Sequence, residues 1–143
     1  KRILEPFVKK FDYILIDTPP TVNILTINAL VAADHVLIPC DMSFDSIEGA
    51  AVIKSTIHEL KKAGLSHADS GSVFISGMEK KNSNLAQKIL AKIEADFGRK
   101  GFKGQIPATV KVGESSISGL TPFHLFKDHP VTQAYSDLTK QVF

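Results

Sequence analysis

The stretch Phe11-Asp12-Tyr13-Ile14-Leu15-Ile16-Asp17-Thr18-Pro19-Pro20 decides how this chain reads. Ile14, Leu15 and Ile16 form an unbroken apolar run bounded on both sides by polar and turn residues. That pattern predicts a central parallel strand over residues 13–16, with helices covering both of its faces. The run ends in Asp17. A carboxylate at the carboxyl end of a buried strand faces the crevice where open α/β sheets bind ligands. Pro19 and Pro20 cannot continue a ladder, so the chain must leave the sheet there. The plainer role for Asp17 is to cap the next turn; its place at a strand end sets the ligand-facing role above that.

Outward from this stretch, helical and strand patterns alternate. Ile3, Leu4, Phe7 and Val8 share one helical face, and Pro6 makes that helix short or kinked. Residues 21–33 read as a helix capped by Thr21 and apolar nearly all round, which fits burial on the sheet or at a subunit contact. Residues 36–38 read as a strand ended by Pro39. Asp45 and Glu48 fit a capping box for a helix that stops at Gly64. Residues 72–76 form a third strand, and 77–82 a loop. Leu85, Ile89, Ile93 and Phe97 give the next helix its inward stripe, with Gly98 as the stop. Residues 102–106 form a fourth strand, ended by Pro107. Residues 108–120 look irregular. Pro130 suits the first position of a last helix whose apolar face carries Val131, Ala134, Tyr135, Leu138 and Val142. This alternation predicts an α/β fold: one parallel, doubly wound sheet with helices on both faces.

The chain has 143 residues, about one domain, and 43% of them are hydrophobic, enough for a core. Charge is uneven. Residues 1–79 carry seven Lys/Arg and ten Asp/Glu, while residues 80–143 carry ten and five. The basic half could face an acidic polymer or simply be a solvated helix surface. Cys40 is the single cysteine, which excludes an internal disulfide framework and fits a cytoplasmic protein. It reads as a small buried thiol at a strand end. No apolar stretch approaches the ~20 residues of a membrane helix. The five histidines show no metal-ligand spacing.

FDYILIDTPP, followed by NALVAAD (Asn28 to Asp34) and VLIP (Val36 to Pro39), resembles the ParA/MinD (Soj-like) family of deviant P-loop ATPases. The resemblance runs from about Phe11 to the C-terminus. It implies that Asp17 is the catalytic-site aspartate that helps hold nucleotide-bound Mg²⁺ through water. It implies that Thr18, Pro19 and Pro20 occupy the switch II region. It also implies that two strand-end loops hold the base, with Ser76, Met78, Pro107, Val112 and Glu114 as nucleotide-binding candidates. The chain departs from the family at Gly77, where Thr or Asn is usual, near Asn82, where an arginine is usual, and at Ser115, where Ala is usual. A P-loop needs Gly-x-x-x-x-Gly-Lys-Ser/Thr, and no such run is present. The expectation is therefore that residues 1–143 are the C-terminal portion of a single ParA-like ATPase domain. The first strand and the P-loop are expected upstream of residue 1.

What the resemblance implies for function is a partitioning ATPase for plasmids or chromosomes. ATP and Mg²⁺ would lock it as a homodimer that binds DNA without sequence preference, and a ParB-like partner would stimulate turnover. Lys80, Lys81, Lys100, Lys103, Lys111 and Lys127 are the candidate DNA contacts. The C-terminus lacks the basic amphipathic helix of the membrane-binding branch, so no membrane partner is expected. This chain alone, without a phosphate loop, is expected to be inactive. The alternatives are a degenerate, non-catalytic module of the same fold, and a MinD-like ATPase with another client. A lone cysteine speaks against a cluster-binding relative.

Overall fold

The computed structural model describes residues 2–19, 21–78 and 83–143. Two compact units emerge. One comprises residues 1–36 and 52–71, and the other residues 37–51 and 72–143.

The larger unit is built on a sheet whose three strands, among the described residues, are β1 (Leu37–Cys40), β2 (Ser72–Met78) and β3 (Phe102–Pro107). They lie in the order β1-β2-β3, and both pairings are parallel. β2 is central, and Val73, Phe74 and Ile75 are all buried, as expected of a strand covered on both faces. Alternation sends them to different cores. Val73 and Ile75 pack with Ile47, Ala50, Ala86, Ile89 and Ile93, contributed by the start of α3 (Phe44–Lys62) and by α4 (Asn84–Gly101). Phe74 packs with Ile106, Val131 and Leu138, the last two from α7 (Pro130–Val142). Gly77, at φ +74°, sits where the register shifts between Ser76 and Met78. The extra residue brings Met78 onto the same face as Val73 and Ile75. α5 (Lys111–Ile117) and α6 (Pro122–Leu125) lie between β3 and α7.

The smaller unit holds α1 (Glu5–Val8), α2 (Ile24–Ala32), the C-terminal part of α3 and the segment up to Gly71. Its core is Leu30, Ile57 and Ala68, flanked by Val36, Ile53 and Leu60. Buried Ser66 donates its hydroxyl to the Leu30 carbonyl at 2.7 Å and accepts from the Ala68 N–H at 3.2 Å. α3 ends in a Schellman turn: Leu65 N bonds Leu60 O and Gly64 N bonds Lys61 O, both at 2.9 Å, with Gly64 at φ +68°.

Several expectations are corrected. Residues 13–16 form no strand. Tyr13 is 64% and Leu15 83% exposed. Apolarity marks a segment for burial, but a strand exists only where a neighbour satisfies its N–H and C=O groups. Among the described residues the sheet has three strands rather than four. Asn23, not Thr21, caps α2, its side chain accepting from Leu25 N and Thr26 N. Thr21 instead offers its carbonyl to Thr26 Oγ1 at 2.6 Å. α2 is also not sheathed all round, since Ile24 and Leu25 are exposed. Pro39 lies inside β1 rather than ending it. β1 is an edge strand in the three-stranded sheet, where a missing N–H costs no ladder bond. Ser43 takes the place given to Asp45: its hydroxyl accepts from Ser46 N at 3.2 Å, and the helix begins one residue later, at Phe44. Gly77 belongs to β2, not to a loop. Residues 111–117 are helical rather than irregular; Ser115 and Ser116 are accommodated there by turning their hydroxyls back onto the Lys111 and Val112 carbonyls.

Candidate functional site: the carboxyl rim of the sheet

Because the three strands run parallel, their carboxyl ends share one rim. After β1 the chain is pinned at Asp41. Its carboxylate accepts from Ser43 N at 3.0 Å and from the Ser43 hydroxyl, and its own N–H donates to Ser46 Oγ at 3.1 Å. Cys40, just before, is 2% exposed. Burial pushes its thiol above the usual 9.0; a hydrogen bond with Ser46 works against that rise and the Asp41 charge adds to it. The residues following β2, 79–82, lie outside the described residues; they include Lys80, Lys81 and Asn82 of the sequence reading. After β3, Ala108 N donates to Met78 O at 3.0 Å, which ties the third loop to the end of the second strand.

Met78 and Pro107 are register partners at this rim. Both line a cavity of about 440 Å³ between β3 and α7. Gln105 lines it from the strand, and Gln133, Asp137 and Gln141 from the helix. Gln133 Nε2 donates to Asp137 Oδ1 at 2.8 Å. Gln105 Oε1 is buried with no hydrogen-bond partner, an acceptor that still lacks a donor. Apolar walls with a few amides at the edge suit a flat heterocycle. Met78 and Pro107, two of the sequence candidates, border this cavity, while Gln105, Gln133 and Gln141 were not among them. The available signal was the four-residue spacing of Gln133, Asp137 and Gln141, one polar stripe on α7.

The other predicted residues stand as follows. Val112 packs against the Phe74–Ile106–Val131–Leu138 cluster. Glu114 pairs with Lys111 at 2.8 Å, and the Lys111 ammonium also lies 4.8 Å over the Phe126 ring. Ser76 sits in β2 beside the Gly77 bulge. Lys103 borders the cavity. Lys100 lies in the turn of α4 beyond Gly98, and Lys127 in the turn between α6 and α7. Asp17, Thr18 and Pro19 are exposed in the smaller unit; Pro20 lies outside the described residues. Among the described residues no three His, Cys, Asp or Glu side chains gather as a metal site. A Mg²⁺ held with nucleotide phosphates needs only one or two carboxylates, so a single aspartate fits such an ion and would not fit a cage made by protein alone. Among the described residues no helix is long and apolar enough to cross a membrane.

Comparison with known proteins gives a consistent result. A family model described as an AAA domain matches residues 1–69. The chromosome-partitioning ATPase Soj of Treponema pallidum is 36% identical over 121 residues, 84% of this chain and 47% of Soj. The chromosome partitioning protein ParA of Caulobacter vibrioides is 30% identical over 132 residues, 92% of this chain and 49% of ParA. The chain thus spans about half the length of these relatives. A solved Cyanothece McdA variant in complex with ATP superimposes with TM-score 0.85, over 96% of this chain and 54% of McdA, at 18% identity. That likeness concerns the fold.

Proposed function

We propose, from the membership of this chain in the ParA/MinD-like family of P-loop ATPases, that it is the C-terminal portion of a partitioning ATPase. In the intact protein, ATP-dependent dimerisation would be coupled to non-specific DNA attachment, with a ParB-like partner stimulating turnover. The observation that carries this reading is the FDYILIDTPP run, in a chain 36% identical to a chromosome-partitioning ATPase over 84% of its length.

Phosphoryl transfer asks little covalent chemistry of a protein; positioning and charge stabilisation supply most of the rate. Mg²⁺, when bound with the nucleotide, neutralises charge that develops on the phosphate oxygens. Asp17 would hold that ion through water. Thr18, Pro19 and Pro20 would carry the state of the nucleotide to the partner protomer. Met78 and Pro107 would bracket the base, and Gln105 would offer its free acceptor to an amino or ring N–H group. Ser76, Val112 and Glu114 would support the loops around it. Lys100, Lys103 and Lys127, with Lys80 and Lys81, would contribute to phosphate contacts with DNA. Lys111 already has Glu114 as a partner, so its contribution would be smaller.

The test is Asp17→Ala in the intact protein. Turnover should fall by about 10- to 100-fold, the scale of losing one group that holds a metal through water. The melting transition should stay close to that of the parent, because residue 17 is exposed. Undiminished turnover would reject the assignment. A non-catalytic module of the same fold is the second reading; a glycine-rich lysine loop in the intact protein separates the two.

A further inference from the structure

The corner that joins α6 to α7 is latched by two imidazoles, each acting as a hydrogen-bond acceptor. His129 is the N-cap of α7, and its Nδ1 accepts from Val131 N at 3.2 Å. His124 Nδ1 accepts from Thr121 N at 3.3 Å and lies 2.8 Å from Thr121 Oγ1, closing the start of α6. Ser, Thr, Asn and Asp usually fill such places, and the lone pairs of Ser, Thr and Asn persist at any ordinary pH. A ring nitrogen accepts only while it carries no proton.

The rest of the corner depends on these two ends. Phe126 N bonds Pro122 O at 2.8 Å, and His129 N bonds Phe126 O at 3.0 Å. Thr132, 4% exposed, donates its hydroxyl to Phe126 O at 2.6 Å, which joins α7 to the turn. The charged groups on the surrounding elements are Lys111 and Glu114 of α5, paired with each other, and Lys127 and Asp128 in the turn. Further along stand Asp137 and Lys140 of α7, also paired, and Lys103 of β3. Among the described residues no carboxylate hydrogen-bonds either ring. A cation at the N-terminus of α7 would also oppose the helix dipole.

We propose that the α6–α7 corner is a proton-sensitive latch, closed by neutral His124 and His129 and released when the two rings are protonated. Release would loosen the first turns of α7, and with them Gln133 and Asp137 in the wall of the rim cavity. The latch stands on this geometry alone, whatever the cavity binds.

Hydrogen exchange of the full-length protein, read by mass spectrometry at about pH 7.5 and about pH 5.5 and corrected for intrinsic rates, tests it. Exchange over residues 121–132 should quicken about fivefold at the lower pH, the loss expected from a helix cap, while β2 stays unchanged. The double variant His124→Gln, His129→Asn supplies amide acceptors that do not titrate, and its corner should lose that pH response. Nitrogen-15 spectra of the histidine rings should show Nδ1 unprotonated at neutral pH. Equal protection of the corner at both pH values, an undiminished pH response in the double variant, or a proton on Nδ1 at neutral pH would overturn the latch.

Discussion

Cys40 and Asp69 show how differently two side chains can be read. Cys40 is apolar in character and follows a strand-like run, so its burial was legible from its neighbours alone. Its titration was not, because that depends on the depth of burial and on Ser46. A thiol held above 9.0 in the native state adds stability that is fully present below that pH and drains away as pH rises through the native value. The expectation is that native Cys40 resists alkylation at neutral pH and reaches half-reaction above pH 9.0, and that Cys40→Ala removes the corresponding alkaline loss of stability. A thiolate already present at neutral pH would refute this. Asp69 carried no signal at all. It accepts from Val36 N at 3.2 Å and Gly71 N at 2.9 Å and lies 3.2 Å from His35 Nδ1. Two of those partners are more than thirty positions away, where no local pattern reaches.

Among the elements, those defined by side-chain period were legible and those defined by backbone partners were not. The stripe of α4 lies where four-residue spacing placed it at Ile89, Ile93 and Phe97, but Leu85 is 47% exposed and Ala86 is buried at that end of the helix instead. Gly98 breaks its regular backbone at φ +69°, ψ 169°. α7 begins at Pro130 as the ring geometry requires. β1 and β2 instead run past the proline and glycine that should have ended them. For β1 the reason is an edge position, and for β2 a bulge. Gly77 makes the second point testable. A Cβ there would meet nothing within 4 Å, so any cost of Gly77→Ala is that of the backbone at φ +74°. The substitution should destabilise by about 1–2 kcal/mol in a urea titration, and Gly77→Asn by less, since Asn tolerates that region. A neutral Gly77→Ala would mean that the bulge is not needed to seat Met78.

At the scale of the whole molecule, this chain supplies a strand rim and a cavity of about 440 Å³ but no Gly-x-x-x-x-Gly-Lys-Ser/Thr run. Titrating the 143-residue chain with Mg-ATP should therefore give no binding in about the micromolar range. Micromolar affinity would show that phosphates can be held without a glycine-rich loop. The sequence by itself determined the α/β class, the parallel sense of the strands, the cores under α4 and α7, and the likeness to ParA/MinD-type ATPases, because period and motif are local and survive without neighbours. Tertiary structure decided which apolar run became a strand, where Pro39 and Gly77 could be tolerated, and which amides came to line one cavity with Met78 and Pro107. The physical reason is that hydrogen-bond pairing and cavity walls are made between segments far apart in the chain, and what one segment does there depends on the partner it meets.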